Sequence, residues 1–133
     1  MIFVDSSVWI DFFNGKESTE TDRLDSLLSI EPVGLGDLVL IEVLQGFRHD
    51  RDYQAAKDLL TSLTIFNLGG QEIAIKSADN FRHLRKRGIT VRKTVDVLIA
   101  TYCIYHNIPL LHSDKDFEPF HKHLNLCNAL LIT

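Results

Sequence analysis

The chain lacks the residues that staple a small fold together. Of 133 residues only two are cysteines, Cys103 and Cys127, both in apolar contexts and neither in a CxxC pair. A disulfide framework is therefore excluded, and reduced, buried thiols in a cytoplasmic setting are expected. No linker, internal repeat or low-complexity segment interrupts the chain. With 45% hydrophobic content it is expected to form one domain over residues 1–133 around an ordinary core. No uncharged apolar run approaches the roughly 18 residues needed to cross a bilayer. The first residues, Met-Ile-Phe-Val-Asp, have no basic leader, so no signal peptide is expected. A net charge of −4 argues against a general nucleic-acid coating protein, which would be basic. There is no glycine-rich phosphate loop and no Ser-His-Asp spacing. His121-Lys122-His123 lacks the spacing of a structural zinc site and has no cysteine pair beside it.

What is present alternates between short apolar runs and longer amphipathic ones. Ile2-Phe3-Val4 predicts a strand, and Val8 to Phe13 a helix stopped at Asn14-Gly15. Leu24, Leu27 and Leu28 among charged residues predict a helix over 19–30 that Pro32 ends. Val33 to Gly36 predicts a brief strand, and Asp37 the cap of a helix through Phe47. A helix over 50–63, with Tyr53, Ala56, Leu59, Leu60 and Leu63 inward, precedes a strand at Thr64-Ile65-Phe66 and a turn at Gly69-Gly70. Residues 71–87 form a helix stopped by Gly88, and Thr94 opens another to about His106, broken by Asn107. Ile108 to His112 reads as a strand, residues 113–117 as a turn into a short helix, and residues 130–132 as a weak last strand. Strands alternating with helices imply an α/β fold with a mostly parallel central sheet and helices on both faces. In such sheets ligands bind outside the carboxyl ends of strands, where both Asp5 and Asp114 stand.

Four acids occupy notable positions. Asp5 would serve as a helix cap, but Ser6 and Ser7 are equally suited to that task, which leaves Asp5 for a site. Glu42 interrupts Leu38-Val39-Leu40-Ile41 and Val43-Leu44, a helix apolar nearly all round and so mostly buried. A carboxylate there needs a cation, a wet cleft or a raised pKa; a salt bridge or a polar face shared with Gln45 is the plain alternative. Asp96 interrupts Val95 to Ala100 in the same way, although the helix dipole alone favours an acid there by roughly 0.3–1 kcal/mol. Ser113-Asp114-Lys115-Asp116 fits a capping box with Ser113 as cap and Asp116 third in the helix, which makes Asp116 structural and leaves Asp114 as a ligand. Clustered carboxylates suit Mg²⁺ or Mn²⁺, which leave positions for water and phosphate oxygens. Phosphodiester hydrolysis fits that equipment. Without metal the acids repel one another and raise at least one pKa.

Taken as a set, Ile2 to Ile10, Glu42 in its apolar helix, Asp96-Val97-Leu98-Ile99-Ala100 and His112 to Phe117 resemble the PIN-domain ribonucleases, in particular the VapC toxins of prokaryotic toxin–antitoxin pairs. The likeness spans nearly the whole chain; its motifs are weak singly and specific in their order and spacing. It implies a PIN-like three-layer fold and an endoribonuclease needing Mg²⁺ or Mn²⁺. Asp5 and Asp96 would be the main ligands, with Glu42 and Asp114 completing the acidic site and Asp114 also reaching the metal. It further implies a homodimer and a VapB-like antitoxin whose C-terminal segment enters the groove and presents a basic side chain to the acids. Asp116 is sometimes grouped with the site in that family, against the capping assignment made above.

Six of the 14 Lys and Arg residues fall between Arg82 and Lys93, a basic edge on an acidic protein. Cations are favourable at a helix end in any case, so a solvated face and sequence-independent contact with RNA phosphates are both open readings. Trp9 and the phenylalanines are expected in the core. On the residues alone two other functions compete: a non-catalytic RNA- or protein-binding module whose acids cap helices and pair with Arg or Lys, and a metal-dependent phosphatase. Metal-dependent cleavage separates the first from a nuclease, and turnover of a generic phosphate ester against RNA separates the second.

Overall fold

The computed structural model of the chain describes residues 1–131. In order these form β1 (Ile2–Val4), α1 (Ser6–Phe13), α2 (Thr19–Ile30), β2 (Val33–Gly36), α3 (Asp37–Leu44), α4 (Asp50–Thr61), β3 (Thr64–Phe66), α5 (Gln71–Lys86), α6 (Thr94–His106) and β4 (Leu110–Leu111). A 3-10 turn (Lys115–Phe117), α7 (Glu118–His123) and a second 3-10 turn (Ala129–Leu131) follow.

The four strands pair in parallel in the order β3-β2-β1-β4. From β1 through β2 to β3 the chain moves one way across the sheet, and β4 then lies on the other side of β1. With the right-handed crossovers that such connections follow, the helices of the first two connections fall on one face and those of the third on the other, the three-layer arrangement expected from the sequence. Contacts agree with this division: α1 packs on α2 and α3, α3 on α4, and α5 along α6. The reversal opens a crevice at the carboxyl ends of β1 and β4, the usual ligand position in such sheets. Val4 lies opposite Leu111, and the Asp5 N–H donates to the Leu111 carbonyl at 2.9 Å. Both chains therefore leave the sheet at the same point.

Strand β1 is buried along its length, as a central parallel strand should be, and Phe3 stacks on Phe66 at 5.8 Å. Trp9 is fully buried against Phe12 and Phe13. Gly34 has a steric reason: a Cβ there would lie 2.6 Å from the Phe66 ring and 3.0 Å from the Thr64 carbonyl. Helix ends follow the punctuation expected of them, with Gly88 at φ 81° after α5 and Asn107 at φ 55° after α6. Among the described residues no helix is long and apolar enough to cross a membrane.

Several expectations need correction. Helix α3 stops at Leu44, not Phe47, and Asp37 is its first residue instead of its cap. The Asp37 carboxylate accepts from the N–H groups of Leu38 (2.9 Å) and Leu68 (3.2 Å), so it ties down the loop after β3. Tyr53 is exposed, because the first turn of α4 lies outside the core and only Ala56 and Leu60 are buried. Cys103 is buried but Cys127 is exposed. At the chain end Ala129–Leu131 winds into a 3-10 turn, and among the described residues this segment joins the sheet through a single bridge between Leu110 and Asn128. Residue 132 of the expected last strand lies outside the described residues.

A candidate metal centre at the strand ends

Asp5 is the innermost acid, with only 3% of its surface exposed. It caps α1 as well as facing the crevice, so the choice posed by the sequence is not exclusive. Its Oδ2 accepts from the Ser7 N–H at 3.0 Å and the Ser7 hydroxyl at 2.7 Å. Ser7 thus supports Asp5 instead of replacing it as cap. The Ser7 oxygen also accepts from the Ser113 N–H at 3.1 Å, which stitches the end of β1 to the end of β4. Burial pushes the Asp5 carboxyl pKa up, the Ser7 and Ser6 hydrogen bonds oppose that rise, and Asp114 adds to it.

Asp96 enters from the first turn of α6 and is buried, with Oδ2 lacking a hydrogen-bond partner. Burial is the largest cause that raises its pKa to about 7; Asp5 adds to it, Lys93 opposes it, and Asp114 and Asp116 add further. Glu42 comes from α3, whose burial is less complete than the sequence suggests: Ile41 is 56% exposed, and Glu42 itself is half-buried. Its pKa is raised first by burial and then by Asp5, against Lys93 and Ser6. Asp5 is thus linked electrostatically to Glu42, Asp96 and Asp114, and Asp96 also to Asp114, whereas Glu42 is coupled among the acids to Asp5 alone.

The turn after β4 differs from the expected capping box. Asp114, in extended backbone at φ −121°, is the cap, and its Oδ1 accepts from the Asp116 N–H at 2.9 Å. Ser113 lies one residue too early to cap and turns its hydroxyl to Asp11 at 3.4 Å. Asp116 is freed from that role and joins the site: oxygens of Asp96, Asp114 and Asp116 all lie within 4.8 Å of one another. The Asp-x-Asp spacing on a tight turn carried this signal, but the capping box masked it.

Sequence reasoning also missed a group formed by His112, Glu118 and His121, whose donor atoms lie within 4.8 Å of one another. Hydrogen bonds join its two histidines. The Asp114 N–H donates to His112 Nδ1 at 3.3 Å, so the His112 proton sits on Nε2 and donates to His121 Nε2 at 2.7 Å. His121 Nδ1 in turn donates to the Leu126 carbonyl at 2.8 Å. Burial, then His121, lowers the His112 pKa to about 4, which keeps the ring neutral. With both ring nitrogens engaged, His112 has no lone pair left for a metal, and the chain of bonds braces the Asp114 turn.

The basic stretch divides. Arg82 and Arg85 border an apolar depression with Phe81, Val97 and Leu98, whereas Arg87 donates to His83 at 3.3 Å. Only its last two cations are paired with the acids, Arg92 with Asp116 at 3.5 Å and Lys93 with Asp114 at 3.7 Å. Five carboxylates, one with an unpartnered buried oxygen, exceed what two exposed cations balance. The donors are hard oxygens throughout, so the residues fit a divalent ion of the Mg²⁺ or Mn²⁺ kind.

Residues 2–122 match the family model of the PIN domain. The chain belongs to the PIN-domain family. Among curated relatives it is 29% identical over 128 residues to the VapC ribonuclease Mb1587 of Mycobacterium bovis and to ribonuclease VapC11 of Mycobacterium tuberculosis, covering 95% of this chain and 96% of each relative. Among solved structures this PIN domain superposes on VapBC2 from Rickettsia felis bound to a DNA fragment from their promoter, with a TM-score of 0.73 at 20% identity over 96% of this chain and 97% of that one. Against the sarcin-ricin-loop-cleaving toxin VapC20 of Mycobacterium tuberculosis the TM-score is 0.62 at 20% identity, over 89% of this chain and 93% of that one. The structural likenesses at these identities establish the fold.

Proposed function

We propose that this PIN domain is a metal-dependent endoribonuclease and the toxin of a VapBC-type pair, acting in the cytoplasm as one domain over residues 1–133. Asp5, Glu42, Asp96 and Asp114 are its catalytic acids, and Asp5, Asp96 and Asp114 hold Mg²⁺ or Mn²⁺ with Asp116 beside them. The observation that carries this reading is Asp96, a buried carboxylate with an unpartnered oxygen placed among two further carboxylates of the β4 turn. Such an arrangement is costly unless a cation completes it. Near-complete alignment with VapC ribonucleases supports RNA as the substrate over a small phosphate ester.

Each residue contributes a definable part. Ser7 fixes the Asp5 carboxylate and joins it to the β4 turn, while the His112–His121 chain holds the backbone of Asp114. When bound, the ion supplies charge neutralisation at the scissile phosphate and acidifies water for in-line attack. Glu42, half-buried with a raised pKa, would on this reading accept a proton from the attacking water. A groove lined by Ile10, Phe13, Val43 and Phe47 and bordered by Glu42 suits an apolar segment carrying one basic side chain, the chemistry of a VapB-like antitoxin. The apolar depression bearing Phe81, Val97 and Leu98 is the face we assign to a second copy in a homodimer.

Structured RNA incubated with the purified chain should be cleaved in Mg²⁺ or Mn²⁺ and left intact in chelator, with Asp96→Asn slower by more than about a hundredfold. Cleavage unchanged by chelator and by the substitution would refute the metal centre. Faster turnover of a simple phosphate ester than of RNA would favour a phosphatase.

A further inference from the structure

Lys93 stands where a helix least tolerates a cation. It is the N-cap residue of α6, at φ −113° and ψ 122°, and its side chain makes no capping bond. Caps are normally Asn, Asp, Ser or Thr, and the positive end of the helix dipole repels a lysine. Its ammonium instead lies 3.7 Å from Asp114 and acts electrostatically on Glu42 and Asp96 as well. Arg92, one residue earlier, reaches Asp116 at 3.5 Å. Both side chains stay largely in solvent, 62% and 81% exposed, so these contacts are loose and readily exchanged. A divalent ion among the acids would compete with both cations for the same oxygens.

We infer that Lys93, seconded by Arg92, is a counter-ion that changes partners: it balances the acids when the metal is absent and grips a phosphate of the RNA, next to the scissile one, when the metal is present. The inference rests on the metal-dependent nuclease reading above. It explains why a helix start carries a destabilising lysine and why only the end of the basic stretch faces the acids. Lys93 is on this account a substrate-binding residue that also opposes metal binding, so its loss has opposite effects on the two ligands.

The test compares Lys93→Gln and Lys93→Arg with the unmodified chain. Mn²⁺ affinity is measured by calorimetry without RNA, and cleavage of an unstructured oligoribonucleotide is followed across a salt series. Removing one positive charge near a divalent ion should tighten Mn²⁺ binding about five- to tenfold in a water-like dielectric. The same variant should raise KM for RNA about tenfold with a smaller change in kcat, and flatten the salt dependence of log(1/KM) by about 0.7, the share of one single-strand phosphate contact. Lys93→Arg should keep both properties. Unchanged or weaker Mn²⁺ binding in Lys93→Gln, or an unchanged KM and salt slope, would overturn the inference while leaving the nuclease reading intact. An unmodified chain that binds no Mn²⁺ would overturn both, and that result is read before any variant is compared.

Discussion

Asp96→Asn should stabilise the metal-free protein while disabling it. In the fold the carboxyl pKa rises from 3.8 to about 7, so between those values the folded state binds a proton that the unfolded state releases. Metal-free stability therefore increases as pH falls from about 7 towards 4, and the cost of the ionised acid is fully present above pH 7. Fully expressed, that span corresponds to about 4 kcal/mol. Water at the open side of the crevice screens the acids, and roughly half, about 2 kcal/mol, is the working figure. Asparagine keeps the shape and removes the charge. In chelator at pH 8 the variant should melt higher by about 6–10 °C for a domain of this size, and the gap should narrow at pH 5. Saturating Mn²⁺ should reverse the order, since a ligand at a hundred times its Kd adds about 2.7 kcal/mol to the unmodified chain and little to the variant. Thermal melts at two pH values, with and without Mn²⁺, make the test. A variant that melts below the parent in chelator at pH 8, or gains equally from Mn²⁺, would refute the reasoning.

Other substitutions probe the supports of the site. Ser7→Ala removes the hydroxyl bonded to Asp5 and the acceptor of the Ser113 N–H, and should weaken Mn²⁺ binding by about 10- to 100-fold in calorimetry with the fold retained. His121→Ala leaves the buried His112 donor unpaired and should cost about 1–3 kcal/mol in denaturant unfolding, with slower RNA cleavage as the Asp114 turn loosens. Gly34→Ala forces a methyl into the Phe66 ring and should lower stability by about 1–3 kcal/mol in the same assay, with Mn²⁺ affinity in calorimetry little changed because the contact lies away from the acids.

The architecture was legible because its signals are local and mutually consistent. Apolar triplets such as Ile2-Phe3-Val4 mark buried parallel strands, and Gly88 and Asn107 end α5 and α6 in the left-handed backbone their residue types favour. Strand-end placement likewise puts Asp5 and Asp114 side by side, since they follow the paired ends of β1 and β4. What the sequence could not resolve was which of several adjacent polar residues takes a given bond. The sequence points to Asp37 and Ser113 as caps and to Asp116 as the third residue of a capping box, but the caps are the extended residues directly before each helix, Gly36 and Asp114, and with Ser113 displaced the box does not form. The group of His112, Glu118 and His121 joins residues nine apart whose rings meet only after the chain has turned through α7, so no fixed spacing announces it.

The acids reach the crevice from both helical layers. Asp5 and Asp114 come from neighbouring strand ends, Glu42 from a helix in the first crossover pair and Asp96 from one in the third. No hydrophobic contact requires a carboxylate at position 96, and the fold would be more stable with a neutral side chain there. On the proposed reading that unfavourable charge serves a cation that would tie the two layers together at the point where the strand order reverses. Lys93 repeats the same logic with opposite sign: a residue unsuited to its place in the helix, kept beside the acids. Two local misfits of opposite charge, meeting at one strand end, are what distinguish this crevice from an ordinary helix-capping cluster.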